Sequence, residues 1–287
     1  MKAPSESERY KLATELVAKL QHSGFSAFLV GGCVRDMLLG REPEDYDIAT
    51  SAEPAQVEAI FENTIQVGRQ FGVLIVRTGS SEFQVATFRA ESDYRDGRHP
   101  SQVIFADAIA DAMRRDFTIN GLFYDPVGGK LYDWVGGCAD LEARIVRTIG
   151  DPKERFAEDH LRLLRAVRFA AELEFTVEER TFEAIKLLAP RINQISAERI
   201  RDELIKIFKP PHAARGLVLL ESSGLLHQIL PEVAACIKCD QPPLHHPEGT
   251  VFEHIRRMLS LVPPNSPDLF PWAVLLHDVG KPVVLSK

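Results

Sequence analysis

The sequence predicts an α+β protein: a head with a mixed sheet of about five strands covered by helices, then helices alone. Three observations predict it. Short β-rich runs separated by helical stretches recur between Phe28 and Phe88. The pair Gly31-Gly32 stands where the first apolar run stops and a helical stretch begins. Beyond Asp151 the strand signal fades and apolar residues recur at helical spacing. With 287 residues, the chain can build more than one compact core.

Taken in order, residues 5–22 predict an amphipathic helix, with Leu12, Leu16, Val17 and Leu20 on one face and Ser5 or Ser7 as its cap. Phe28-Leu29-Val30 is a short buried strand, and Cys33 to Leu39 is one or two helical turns ended by Gly40. A glycine pair at such a junction lets backbone N–H groups approach an anion at the helix N-terminus. Arg35 stands on the same side and can clamp a phosphate. The strand Asp45 to Ala49 puts Asp45 and Asp47 on one face, by its period of two. Neighbouring carboxylates repel unless a cation lies between them, and hard Mg²⁺ suits them. Separately, each feature has a bland counterpart, an ordinary turn or a solvated surface pair. Joined within a dozen residues, they suit metal-assisted phosphoryl or nucleotidyl transfer.

Pro54 to Phe61 follows as a helix, then strands at Thr64–Val67, Val73–Thr78 and Phe83–Phe88. Arg89 to Ser101 is polar and without period, which predicts a flexible loop. Arg114-Arg115-Asp116-Phe117-Thr118-Ile119-Asn120-Gly121 heads an apolar run, and residues 122–134 predict a hairpin around Gly128-Gly129. Asp133, Gly136-Gly137, Asp140 and Arg147 to Gly150 form a structural stretch, and the domain boundary is expected near Gly150.

Gly31 to Asp36 followed by Asp45 to Thr50 resembles the first motif of the class II tRNA nucleotidyltransferase and bacterial poly(A) polymerase family. That family lies within the nucleotidyltransferase superfamily that includes DNA polymerase β. Arg114 to Asn120 is similar to the family's second motif, departing at Gly121 where alanine is usual. The resemblance covers roughly residues 26–230. It implies that Asp45 and Asp47 are catalytic and hold two Mg²⁺ ions. It also implies that Gly31, Gly32, Arg35, Arg115, Asp116 and Asn120 bind the nucleotide, Arg115 at the phosphates and Asp116 or Asn120 at the sugar. The Arg89–Ser101 segment resembles the loop implicated in adding the terminal adenosine. One departure touches the site: Gln84 stands where many relatives have a glutamate.

In the helical half, Asp159, Arg162, Arg165 and Arg168 recur every three residues within Phe156–Leu173 and share one broad polar face. A surface helix with an Asp–Arg pair, worth well under about 1 kcal/mol, is the bland account. Glu158-Asp159-x-x-Arg162 resembles the family's nucleotide-selecting motif, which implies that Asp159 and Arg162 read the base while Arg165 and Arg168 reach its phosphates. Residues 196–208 open with a shifted capping box and resemble the family's fifth motif, expected as packing. Pro210 to Leu230 predicts a helical pair broken at Gly224. Further on, His254 and His277-Asp278 resemble the start of an HD phosphohydrolase domain, whose divalent metal they would hold. Cys236-x-x-Cys239 with His245-His246 has a weaker, zinc-like pattern.

The expected domains are a catalytic head over 1–150, a neck and body over 151–230, and an incomplete HD-like segment over 231–287. A net charge of -7 excludes a uniformly basic nucleic-acid binder without excluding a local groove. No apolar run approaches the roughly 18 residues of a membrane span. Four scattered cysteines fit a reduced, cytoplasmic protein. The expected activity is addition of CCA to the tRNA 3′ end from CTP and ATP, with no membrane and no stable protein partner. Val67 to Gly72 favours it over poly(A) synthesis, and the Arg89–Ser101 segment over an enzyme adding CC alone. An A-adding enzyme, an HD-type hydrolase and a silent RNA-binding protein stay open.

Overall fold

The computed structural model describes residues 7–68, 72–94, 100–242, 244 and 246–285, with side chains set aside at 68, 90–94, 100–105 and 285. It falls into two compact units, residues 1–143 with 147–151, and 144–146 with 152–287. Among the described residues no helix is long and apolar enough to cross a membrane.

In the first unit, α1 (Glu8–His22) starts where the Ser7 hydroxyl accepts the Tyr10 N–H at 3.2 Å, and it buries Ala13, Leu16, Val17 and Leu20. β1 (Ala27–Val30), α2 (Gly32–Leu38), β2 (Asp47–Thr50) and α3 (Pro54–Ile60) follow, and then β3 (Thr64–Gly68), β4 (Val73–Thr78) and β5 (Ser81–Thr87). After β6 (Arg89–Tyr94), β7 (Pro100–Phe105) and α4 (Ala108–Met113) come β8 (Phe123–Asp125), β9 (Lys130–Tyr132) and α5 (Gly137–Ala143). One sheet of seven strands runs in the order β3-β4-β5-β2-β1-β8-β9. It is mixed, because β2 and β5 pair parallel while the other neighbours are antiparallel. The count exceeds five because the expected 122–134 hairpin pairs through β8 with β1 and extends the sheet. Phe28, Phe88 and Phe123 pack with Tyr132 and Trp134 where this hairpin joins.

The expected loop after Arg89 is a two-stranded antiparallel ribbon, β6 paired with β7, whose tip at 95–99 lies outside the described residues. Its pairing is carried by backbone hydrogen bonds, which a polar, aperiodic sequence does not display. The Asp133 carboxylate accepts the N–H groups of Val135, Gly136, Gly137 and Cys138 at 2.8–3.2 Å, capping the start of α5. Burial alone would raise its pKa, but these backbone donors hold it below the usual carboxylate range. That stretch is structural, as expected.

The second unit contains β10 (Ile145–Val146), paired parallel with β11 (Thr176–Val177), and is otherwise helical. Its helices include α6 (Pro152–Glu158), α7 (Leu161–Glu172), α8 (Glu179–Leu188), α9 (Ala197–Ile207), α10 (Ala213–Ser222) and α11 (Leu225–Ile229). α12 (Pro231–Ala235), α13 (Val251–Ser260), α14 (Phe270–Leu276) and α15 (Lys281–Leu285) complete it. α7 buries Leu163, Leu164, Val167 and Ala171 and is its central helix. The single helix expected over Phe156–Leu173 is broken between α6 and α7, because Asp159 turns its carboxylate onto the Leu161 N–H at 3.0 Å. Asp159 therefore precedes α7 instead of sharing a helical face with the arginines. Ser196 stands at the cap of α9 but makes no side-chain cap bond, so the shifted capping box does not form. Gly224 breaks α10 from α11 at φ +78°, a conformation glycine adopts without strain.

Candidate active site

Gly31 turns the chain from β1 into α2 at φ +77°, in the left-handed region where a side chain is strained. A Cβ there would lie 3.0 Å from Arg115 Nη1, so the missing side chain lets this guanidinium reach the turn. The Gly31 N–H donates to the Leu122 carbonyl at 3.2 Å and closes the backbone between β1 and β8. It does not face an anion, so the expected amide cradle loses this donor. What the turn presents instead is Arg115, held over the Phe123 ring at 5.0 Å.

Asp47 opens β2 opposite Val30, half-buried, while Asp45 stands outside the strand and is largely exposed. Burial pushes the Asp47 pKa up; Arg115 pulls it down and Asp45 pushes it further up. Asp45 thus acts on Asp47 as a like charge although it lies outside the strand it was expected to share, and the pull of Arg115 on Asp47 was not read from the sequence. Arg9, on α1, donates to Asp45 Oδ1 at 3.1 Å and to the Glu44 carbonyl. Two carboxylates, one of them half-buried with its pKa raised, are a donor set that fits a hard divalent cation. Gln84 precedes Val85 as Asp47 precedes Ile48, and these partners pair in parallel, so Gln84 shares a sheet face beside Asp47.

Arg35 differs from expectation. It is buried, and its guanidinium grips Asp36 through Nε and Nη2, both at 2.9 Å, and Asn120 Oδ1 through Nη1 at 2.9 Å. The Asn120 amide in turn donates to Asp116 Oδ1 at 3.3 Å, which also takes the Phe117 N–H at 2.8 Å. A buried guanidinium in such a fork orients Asn120 and is poorly placed to clamp a phosphate. Gly32 starts α2 beside this group, its absent Cβ 3.7 Å from Arg35 Nη2. Asp111, on α4, was not singled out from the sequence: its carboxylate, 1% exposed, takes Arg114 at 2.7 Å and Arg115 at 3.0 Å. Its position three and four residues before those arginines was the legible signal.

In the second unit, Asp159 and Arg162 each have an ion-pair partner, and that of Arg162, Glu158, also takes Arg155. Arg199, on α9, donates to Asp159 Oδ2 at 2.8 Å. Glu158 and the Arg155 carbonyl hold Arg162 Nη1, and the arginine is buried. Arg168 departs from its expected place at a phosphate. It is buried against Glu203 of α9, Nη1 to Oε1 at 2.9 Å, with its guanidinium 4.3 Å from the Phe169 ring centre. Arg165, 4.0 Å from the same carboxylate, keeps more exposure.

His254, His277 and Asp278 come together, with ligand atoms within 4.8 Å of one another, and His254 also shares such a cluster with His246 and Glu248. Glu248 takes His254 Nδ1 at 2.6 Å and His246 Nδ1 at 3.2 Å. The zinc-like pattern is not assembled among the described residues. Burial, then Cys239 and Asp278, push the Cys236 thiol up to about 11, so it is no ready thiolate, and the metal-capable groups contain no cysteine. His245 and residues 69–71 of the Val67–Gly72 stretch lie outside the described residues.

Residues 27–147 match the poly A polymerase head domain, and residues 174–237 match the probable RNA and SrmB-binding site of polymerase A. The CCA-adding enzyme of Geobacillus sp. (strain WCH70) is 44% identical over 219 residues, covering 76% of this chain and 54% of that protein. Poly(A) polymerase I of Haemophilus influenzae is 38% identical over 236 residues, covering 78% and 52%. The chain thus spans about half the length of these curated relatives. The crystal structure of the Bacillus stearothermophilus CCA-adding enzyme in complex with CTP superposes with a TM-score of 0.79 at 35% identity, over 96% of this chain and 63% of that one. The Thermotoga maritima CCA-adding enzyme complexed with tRNA, at 22% identity and a TM-score of 0.71 over 96% of this chain and 66% of that one, shares the fold. With both halves matched in order, the chain belongs to the family of tRNA nucleotidyltransferases (CCA-adding enzymes) and bacterial poly(A) polymerases.

Proposed function

We propose that this chain adds CCA to the 3′ end of tRNA from CTP and ATP without a nucleic-acid template, in the reducing cytoplasm its free cysteines suit. The observation that carries the proposal is the Asp45–Asp47 pair beside Arg115 at the Gly31 turn. Asp45 and Asp47 would hold two Mg²⁺ ions, which when bound activate the 3′-hydroxyl and steady the triphosphate. Arg115 holds the triphosphate by charge and paired N–H donors. Asp116 and Asn120, the latter oriented by Arg35, receive the sugar hydroxyls.

Base choice falls to Asp159 and Arg162. The Asp159 carboxylate only accepts hydrogen bonds, so it takes the exocyclic amine that cytosine and adenine share. A carbonyl at that edge sets acceptor against acceptor, which rejects uracil and guanine. Arg162, gripped by Glu158, donates to the neighbouring ring acceptors. Arg165 keeps the phosphate role, and Arg168 supports it through Glu203.

The test is incubation of tRNA lacking its 3′ end with Mg²⁺ and labelled CTP and ATP, beside an Asp45→Ala/Asp47→Ala control. Three nucleotides followed by a stop, absent in the control, are expected. A long adenosine tail makes the chain a poly(A) polymerase, and one nucleotide type alone makes it an A-adding or CC-adding enzyme. No incorporation refutes the proposal.

The C-terminal cluster favours a second, separate activity. His254, His277 and Asp278 supply two imidazoles and a carboxylate at one point, a set that suits a divalent transition metal. Calorimetric titration with Mn²⁺ or Ni²⁺ on the Asp45→Ala/Asp47→Ala background, with and without His277→Ala, tests the site. A phosphatase signal that survives loss of Asp45 would extend it to hydrolysis.

A further inference from the structure

Three donors converge on the Asp111 carboxylate, two from the adjacent Arg114 and Arg115 just past α4 and one from the start of β6. Arg114 Nε meets Oδ1 at 2.8 Å, Arg115 Nη2 meets Oδ2 at 3.0 Å, and the backbone N–H of Arg89, first residue of β6, meets Oδ1 at 3.3 Å. Burying a carboxylate this deeply is costly unless it is paired, and the two guanidinium groups compensate it. Burial alone would raise its pKa, yet Arg115 and Arg114 hold it below the usual range, so the pair is ionised at neutral pH.

The Arg115 guanidinium is fixed on three sides. Nη2 is tied to Asp111, its plane lies near the Phe123 ring, and Nη1 reaches the Gly31 turn. Of these, Asp111 makes the directional contact, because a ring face permits rotation and a glycine only leaves room. We infer that Asp111 is a positioning residue: it aims Arg115 at the Gly31 turn for the nucleotide triphosphate and ties that arginine to the root of the β6–β7 ribbon. The inference rests on the proposed role of Arg115 at the triphosphate. A local backbone bond at Arg89 makes ribbon and arginine clients of one carboxylate, so a shift in either is felt by the other.

Equilibrium binding of CTP in the presence of Mg²⁺, by titration calorimetry, tests this on wild type, Asp111→Asn, Arg115→Ala and the double variant. Asp111→Asn keeps the shape and an acceptor for the Arg89 N–H but removes the charge. A weakening of about tenfold is expected, with the double variant no weaker than Arg115→Ala, since neighbours acting through one contact are not additive. Asp111→Glu, which keeps the charge within reach of both arginines, is expected to recover part of the loss and to serve if the asparagine variant does not fold. Unchanged CTP binding in Asp111→Asn, or a double variant whose loss is the sum of the two single losses, would overturn the inference. Hydrogen exchange at the Arg89 amide gives a second readout: it should accelerate in Asp111→Ala, and an unchanged rate removes the link to the ribbon. Wild-type protein that binds CTP but incorporates none refutes the proposed function and leaves Asp111 to be decided by the cycle; wild type that binds no CTP refutes both.

Discussion

Gly121→Ala sets two opposing effects against each other. The motif this stretch resembles has alanine at this place, and Gly121 sits at φ -91°, ψ 13°, which alanine tolerates. By chain entropy alone the substitution would stabilise the fold by about 0.4–1 kcal/mol, because it narrows the unfolded ensemble. In this chain, however, an added Cβ would lie 2.7 Å from Val135 Cγ2, 3.0 Å from Ile149 Cδ1 and 3.4 Å from the Thr118 carbonyl. Ile149 is buried, so relief must come from the half-buried Val135 or from the turn itself. Inserting a methyl group into such packing costs about 1–3 kcal/mol. The overpacking wins by about 1–2 kcal/mol. For a unit of this size that lowers the thermal midpoint by roughly 2–8 °C. Circular dichroism against temperature on both proteins is the assay. A raised or unchanged midpoint would refute the packing argument and leave only the entropy. The companion variant Gly121→Ala/Val135→Ala, which opens the space, should recover part of the loss.

Asp47→Asn is expected to abolish incorporation and yet raise the thermal midpoint of the metal-free protein at neutral pH. A carboxyl whose folded pKa is raised disfavours the fold once ionised. The penalty is present above the folded pKa and vanishes below the unfolded one, so the gain should disappear on acidification; an equal midpoint at neutral pH refutes it. Gln84→Glu should tighten Mn²⁺ binding, because it adds a charge on the strand face beside Asp47, and weaker or unchanged binding by calorimetry counts against that placement. Glu203→Gln removes the charge facing the buried Arg168 and should destabilise the helical unit by about 3 kcal/mol, read from denaturant unfolding; a loss under about 1 kcal/mol would mean other partners hold that arginine.

What the sequence made legible followed local chemistry. A β-rich run placed β4 over its observed bounds and β5 near its own, and a period of 3.6 placed the body and end of α1, because each buries one apolar face. The Asp45–Asp47 pair and the Gly31 turn were readable since their residues lie within one short segment. The ribbon β6–β7 was not, because its pairing is made by the backbone and its first strand is a mostly polar sequence. The break before α7 was hidden for a different reason: Asp159 leaves the helix for a bond with the Leu161 N–H, a local competition that spacing alone cannot express. Long-range partners were beyond reach as well. Arg199 holding Asp159 and Glu203 receiving Arg168 join segments some 35–40 residues apart, and nothing in either segment names the other.

Those hidden partners change how the arginines divide. Arg35, Arg162 and Arg168 are each buried against a carboxylate, so their first effect is to hold other groups in place. Arg115 and Arg165 keep more exposure and share a carboxylate with a second arginine, Arg114 in one case and Arg168 in the other. A guanidinium that keeps exposure can still meet an incoming polyanion, whereas a buried one is already committed to its partner. In each unit, then, the arginine that keeps exposure is the one to test against phosphate, and an arginine buried against a carboxylate is one whose loss should be felt first in stability.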